Sequence, residues 1–416
     1  MPKTLLQLDW LSLVIIIILV SFGWANIYST AFISPEASVF DLSKIYGKQL
    51  LWIGLGVFIS IIVLAFENKF FERFASVIFI AAILSLLGLF IFGKTIAGQT
   101  AWYSFGEFSI QPAEFVKTAV ALALAKYISE LDNDLTKIKS QLKAFAIIGI
   151  PLGLIMLQPD AGSALIYLGF LIPLYREGLP HYYLSLGVFA AIIFIITLKF
   201  SFIVIAPLFV ILLVIVYLLN RKKKPKLGIY LLVLSFGLGF SYSVNFILNS
   251  VLLPHQKDRF DVLIGEANDI RGSAFNLYQS EVAIGSGGWT GKGWLKGSQT
   301  QGRFVPEQHT DYIFSTVGEE WGFLGTSAVV VLFTVLLLRL FYLAERQKNQ
   351  FSRVYGYCVL SVLFVHFFVN IAMVIGLFPT VGIPLPFFSY GGSGLWGFLI
   401  LVLIFLKLDA KRKSLD

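Results

Sequence analysis

Apolar stretches of about twenty residues recur along this chain, and they constrain its fold more than any other feature. They fall at roughly 8–29, 49–66, 75–93, 112–130, 144–158, 161–175, 182–199, 201–220, 228–250, 311–341, 357–378 and 394–409. A bilayer core about 30 Å thick is crossed by a helix of about 20 residues. Inside lipid each backbone N–H and C=O must bond within the chain, so such runs form helices. The composition agrees, with 57% hydrophobic and only 13% charged residues. The expected fold is an all-α polytopic membrane protein of about twelve spans, one integral membrane domain over 1–416. Two of the runs are short and meet at Gln158-Pro159-Asp160-Ala161-Gly162, where a bend or a pair of half-helices is expected. The first run, from Leu11 to Ser29, lacks a small-residue cleavage site and reads as a retained anchor.

Charge orients the spans. The chain carries 32 Lys and Arg against 24 Asp and Glu, a net charge of +8. These basic residues cluster in short loops: Lys69 and Arg73; Lys137, Lys139 and Lys143; Arg176; Arg221 to Lys226; Arg346, Lys348 and Arg353; Lys411 to Lys413. All of them fall on one side if both termini are cytoplasmic, which is the positive-inside pattern. That distribution explains the basic balance without any nucleic-acid partner. It places the loops at 30–48, 94–111, 254–310 and 379–393 outside, away from cytosolic nucleotides. The single cysteine, Cys358, has no disulfide partner in the chain and reads as a small buried hydrophobe.

The region 251–310 is long, polar and glycine-rich, and a loop of that length is usually functional or disordered. It is expected to be a large, functional extracytoplasmic loop, and catalytic if the family resemblance given below holds. Its run Gly285-Ser286-Gly287-Gly288-Trp289-Thr290-Gly291-Lys292-Gly293 superficially resembles a phosphate loop. The Walker spacing fails, and Gly293 stands where a magnesium-binding hydroxyl is needed. A tightly turning packed loop is the simpler reading; backbone N–H groups approaching a phosphate is the functional one. Asp269 stands in Asn268-Asp269-Ile270-Arg271-Gly272, where Arg271 favours the ionised carboxylate.

Ionisable residues inside spans are functional candidates by default. Lys117 follows Pro112 and Glu114, with Glu114 three residues earlier and so on the same helix face. Snorkelling to the interface is the competing explanation for Lys117. Asp160 lies between the two short spans, and Glu319 and Glu320 follow shortly after Asp311. Pro379 to Gly392 is rich in proline and glycine and suggests a rigid re-entrant loop. These groups share one side of the membrane and are expected to converge on one outward-facing site.

Several motifs occur in order: Gln111-Pro112-Ala113-Glu114, Gln158-Pro159-Asp160-Ala161-Gly162, Gly285-Ser286-Gly287-Gly288, Pro306-Glu307-Gln308-His309-Thr310-Asp311 and Pro384-Leu385-Pro386-Phe387-Phe388-Ser389-Tyr390-Gly391-Gly392. In these the chain resembles the SEDS family (shape, elongation, division and sporulation). The stretch Gly291 to Gln301 is most similar to its RodA branch. The resemblance implies a peptidoglycan glycosyltransferase that polymerises lipid II, the undecaprenyl-diphosphate-linked disaccharide peptide. It implies a multi-pass protein of the bacterial cytoplasmic (inner) membrane with its active site facing the periplasm. It also implies a class B penicillin-binding protein and other elongation-complex membrane proteins as partners.

By that resemblance the family's acidic residue maps onto Asp269, with Gly272 and Gln279-Ser280 matching, and its membrane lysine maps onto Lys117. Asp269 is expected to deprotonate or orient the acceptor hydroxyl, and Lys117 to stabilise the leaving diphosphate. Substrate contacts are expected from Glu114, Asp160, Arg303, Lys292, His309, Asp311 and Ser389. A divalent cation, Mg2+ or Mn2+, would suit the diphosphate, although no ligand set is legible. The chain departs from the family at Ile270 and Arg271, which replace Pro-Leu, and at Ala101, where many members have arginine before the tryptophan. Three runs in 182–250 also occupy the place of one span in a ten-span plan, an added helical pair. Two other readings compete: a flippase or transporter of the same lipid, and a non-catalytic scaffold of the wall-synthesis complex.

Overall fold

The structure of the chain is a computed structural model. It describes residues 7–32, 38–96, 98–106, 108–130, 134–200, 202–220, 226–246, 248, 250 and 275–412. Its helices are α1 (Trp10–Ala31), α2 (Ile45–Ala65), α3 (Asn68–Phe92), α4 (Pro112–Ser129), α5 (Ile138–Leu157), α6 (Ala161–Ile166) and α7 (Leu171–Arg176). Then follow α8 (His181–Lys199), α9 (Phe202–Asn220), α10 (Leu227–Phe246), α11 (Phe275–Ser286), α12 (Ser298–Gln301), α13 (Ile313–Glu345), α14 (Gln350–Val374) and α15 (Gly392–Arg412). Among the described residues ten of these are long and apolar enough to cross a membrane. The two remaining apolar runs are also helical. One is α4, which carries Glu114, Lys117 and Lys126. The other is the segment Ala161–Arg176, in which a 3-10 turn at Tyr167–Phe170 joins α6 to α7.

Residues 94–110, read as a loop in the sequence, form a small antiparallel sheet. Its strands are β1 (Lys94–Ile96), β2 (Gln99–Phe105) and β3 (Phe108–Ile110), in the order β1-β2-β3. The register pairs Lys94 with Trp102 and Tyr103 with Ile110. The Tyr103 hydroxyl donates to the Ser85 carbonyl at 2.8 Å, which anchors the sheet on α3. The helical fold class stands, and this small sheet is an addition to it in a loop between helices. Aromatic and β-branched residues alternating across a tight turn favour a hairpin, and apolar run length cannot report it.

The chain falls into two compact units, 1–179 with 276–416, and 180–275. In the first unit α4 is the core element, packed against α3, α5, α14 and α15. Its alanines 113, 119, 121, 123 and 125 are buried and let neighbouring helices approach closely. Around it, α15 packs on α2, and α13 packs on both α1 and α14. The second unit contains α8, α9 and α10, with α10 packed against the other two. Its interior is thin: Phe209 covers Gly237, and the Thr197 and Ser241 hydroxyls meet at 2.9 Å. Most of its Leu, Ile and Val side chains face outward, as lipid-facing helices require.

Helix α13 is broken near its start. Gly322 sits at φ 63° and ψ −159°, inside an otherwise helical run. The glycine-rich segment fills the break with its own backbone. Phe323 and Leu324 N–H groups donate to the Gly288 and Trp289 carbonyls, while Lys292 and Gly293 N–H groups donate to the Glu319 and Glu320 carbonyls. Every freed group named here thus finds a partner within the chain, as the lipid interior demands. The packed-loop reading of 285–293 holds for these N–H groups: those of Lys292 and Gly293 are already used.

Candidate functional site

Pro112 opens α4 at its first turn, and Glu114 follows in that turn, where a carboxylate complements the helix dipole. One helical turn on, the Lys117 ammonium lies 2.9 Å from Glu114 Oε2. Lys117 is only 1% exposed, so it does not snorkel. Its second partner comes from α14: Nζ lies 2.9 Å from Nε2 of His366. An ammonium has no lone pair to accept with, so Nε2 must accept and the ring carries its proton on Nδ1. The third side is closed by the Phe398 ring of α15, whose centroid lies 4.9 Å from Nζ. His366 also meets Phe398 edge-on at 4.8 Å. A buried cation needs such compensation, because desolvating it is costly.

The start of α15 is shaped to this carboxylate. A Cβ at Gly397 would lie 2.8 Å from the Glu114 carbonyl oxygen, and one at Gly394 would lie 3.8 Å from Glu114 Oε2. At the bend that follows α5, Asp160 caps α6 by accepting from the Ser163 N–H at 3.0 Å. Its other oxygen accepts from Gln111 Nε2 at 3.0 Å, which ties the bend after α5 to the start of α4. Tyr167 is fully buried within electrostatic reach of both Glu114 and Asp160. Its hydroxyl has no hydrogen-bond partner among the described residues. Glu114, Lys117 and His366 thus form one polar centre inside a helical bundle, with Tyr167 between its electrostatics and those of Asp160.

The other expected site residues lie elsewhere. Arg303 and His309 line an open cleft of about 380 Å³ with Thr30, Lys44 and Gln308. Burial lowers the His309 pKa below the usual histidine range, against the opposing pull of Glu307. Lys292 is bound to the buried Glu319 at 2.7 Å and to the Ser298 hydroxyl at 2.8 Å. Ser389 is a backbone staple: its hydroxyl donates to the Thr310 carbonyl at 2.7 Å and accepts from the Leu385 N–H. The Asp311 carbonyl accepts from Asn370, which also donates to Ile383. These contacts hold the non-helical segment before α15 against the chain before α13. Asp269 lies outside the described residues. Among the described residues no group of three or more His, Cys, Asp or Glu side chains is placed to hold a metal ion. No ligand set for a divalent cation therefore emerges among these residues.

His366 is the residue that sequence reasoning missed. Its signal was available, since it is an ionisable side chain in the apolar run at 357–378.

The fold and this centre define a multi-pass membrane protein built around a buried, charge-compensated lysine. Comparison places it further. Residues 9–226 and 186–414 match the family model of FtsW, RodA and SpoVE, described as "Cell cycle protein". The peptidoglycan glycosyltransferase RodA of Treponema pallidum is 32% identical over 97% of this chain and 98% of its own length. The peptidoglycan glycosyltransferase MrdB of Escherichia coli K12 is 30% identical over 89% of this chain and 86% of its own. Among solved structures, a chain of a peptidoglycan synthase complex that coordinates polymerization and crosslinking superposes with TM-score 0.70 at 25% identity. That match covers 98% of this chain and 99% of the other. The rod shape determining protein RodA of Thermus thermophilus shares the fold at TM-score 0.64 and 22% identity, over 97% of each chain. The chain belongs to the FtsW, RodA and SpoVE family.

Proposed function

We propose that this protein is a peptidoglycan glycosyltransferase that polymerises lipid II into glycan strands for cell-wall elongation. The observation that carries this reading is the nearly full-length similarity to a relative named for that activity. The buried centre on α4 supports it, because phosphoryl leaving groups need a held positive charge.

In the proposed reaction the acceptor 4-hydroxyl attacks the anomeric carbon of the donor sugar. The new glycosidic C–O bond forms as the bond from that carbon to the lipid diphosphate breaks. Asp269 takes the hydroxyl proton as general base. Attack opposite the diphosphate inverts an α-linked donor to a β-linked product. Lys117 supplies positive charge toward the departing diphosphate, exchanging its contact with the Phe398 face for a phosphoryl oxygen. Glu114 and Asp160 shape the polar wall beside it. The cleft of Arg303 and His309 is the second place where an anionic part of the substrate is proposed to rest.

The protein is proposed to sit in the bacterial inner membrane with both termini cytoplasmic, twelve spans, and the 251–310 loop facing the periplasm. A class B penicillin-binding protein is the proposed partner, along with other elongation-complex proteins; the related synthase complex carries a crosslinking function. The test is glycan polymerisation by purified protein from lipid II in detergent, with and without the cognate class B partner. Flipping has no meaning in detergent, so product there separates an enzyme from a transporter or a scaffold. Asp269→Asn should abolish product while leaving the melting temperature near wild type. Normal polymerisation by that variant would remove the general-base assignment. Adding Mg2+ or Mn2+ to a chelated reaction tests the proposed cation.

A further inference from the structure

Glu114 alone does not fix the direction of the Lys117 ammonium. Both residues sit on α4, three apart, and the lysine stem has four rotatable bonds. A second partner on the same helix face would leave Nζ free to swing about the α4 surface. The partner instead comes from α14, 249 residues further along the chain. His366 is rigid where Lys117 is not. It is 2% exposed and packed edge-on against Phe398, which itself contacts Phe387. Two hydrogen bonds from two different helices determine the orientation of a tetrahedral ammonium. The direction of the remaining N–H is then set, and Nζ itself lies 4.9 Å from the centroid of the Phe398 ring.

We infer that His366 is a positioning residue: its Nε2 accepts from Lys117 and aims the remaining ammonium proton at the diphosphate leaving group. This rests on the reading of Lys117 as the charge that meets that diphosphate. His366 itself touches no substrate. Misplacing a catalytic charge by about 1 Å costs on the order of 100-fold in rate.

The experiment compares two amides at this position in the lipid II polymerisation assay, with kcat and KM measured separately. In His366→Gln the amide oxygen reaches the place of Nε2 and can accept from Lys117. In His366→Asn the side chain is as polar but reaches only as far as Nδ1. The expected result is that His366→Gln keeps polymerisation within about 3-fold of wild type, while His366→Asn loses kcat by at least about 10-fold with KM unchanged. Both should melt close to wild type. Equal activity of the Asn variant and wild type would overturn the proposal. So would equal impairment of the two variants, or loss of folding in both, which would make His366 a packing residue. Lys117→Ala is assayed alongside. If it retains wild-type activity, the reading of Lys117 fails; if it is impaired while His366→Asn is not, only the role of His366 fails.

Discussion

The carboxylate of Glu319 lies 2.7 Å from the ammonium of Lys292, and the pair joins α13 to the loop that leads into α12. Glu319 is fully buried and also accepts from the Gln299 and Thr300 N–H groups and the Thr300 hydroxyl, each at 2.8 Å. Removing one partner of a buried charged network costs about 3–5 kcal/mol. Glu319→Ala should therefore lower the melting temperature in detergent by several degrees and expose the 292–300 segment to protease. A variant that melts like wild type would show that these bonds are dispensable.

The break in α13 makes a second prediction. Gly291 has φ 80°, and a Cβ there would lie 2.1 Å from the Glu320 carbonyl oxygen. The left-handed backbone alone costs about 1–2 kcal/mol for an alanine, and the carbonyl cannot move without losing its bond from Gly293. Gly291→Ala should destabilise the protein more than Gly285→Ala, whose Cβ meets nothing within 4 Å. Comparing the two melting curves checks this. Equal curves would place the loop away from the helix break.

Lys117→Ala should lower polymerisation by about 100-fold, the scale seen when one pre-aimed charge-stabilising donor is lost. Lys117→Arg should rescue poorly. A planar guanidinium does not fit a position bounded by Glu114, His366 and Phe398 at ammonium distances. Rates at saturating lipid II decide it. An alanine variant as fast as wild type would make Lys117 a purely structural cation.

His309 predicts the effect of acid. Its folded pKa lies below the ordinary value of 6.5. Between that value and 6.5 the unfolded chain binds more protons than the folded one, so stability rises with pH through this window. It is complete above about pH 6.5 and is lost as pH falls toward the depressed value. Acidification should therefore loosen the packing of His309 on Tyr390, whose rings lie 5.5 Å apart. Melting temperatures measured from pH 7.5 down to 5 should fall less steeply in His309→Phe. An unchanged slope would assign the acid sensitivity to other groups.

Sidedness is tested by labelling. Trp289 is strongly exposed, and residue 223 lies in the basic stretch outside the described residues. Single cysteines introduced as Lys223→Cys and Trp289→Cys, in a Cys358→Ala background, should react with impermeant reagent from opposite sides of the membrane. Same-side labelling would break the twelve-span arrangement. Replacing 182–250 with the single matching span of a ten-span relative should retain polymerisation if the extra pair is peripheral to the chemistry. Loss of activity in a stably folded chimera would count against that.

The helices were legible because lipid solubility writes itself into run length, and the twelve apolar runs correspond to helical segments. The pairing of Glu114 with Lys117 was legible too, since three-residue spacing on a helix is a local property. His366 was not, because its partner lies 249 residues away and only packing of α14 on α4 brings them together. Lys292 and Ser389 read as ligand contacts because polar side chains near a loop look available. Packing commits Lys292 to Glu319 and Ser389 to Thr310. The sheet at 94–110 was hidden for a different reason: short strands carry no long apolar run.

Helix α4 has 14 of its 18 residues buried, and protein surrounds it on every side that matters to Lys117. Helices α2 and α3, by contrast, bury only 17% of their membrane-length windows and face outward. Hydrophobic mismatch acts on surfaces that touch acyl chains, through tilt and local thinning. A change in bilayer thickness therefore acts first on the outer helices and reaches Lys117 only through them. Lys117 is thereby insulated from the acyl chains that surround the bundle.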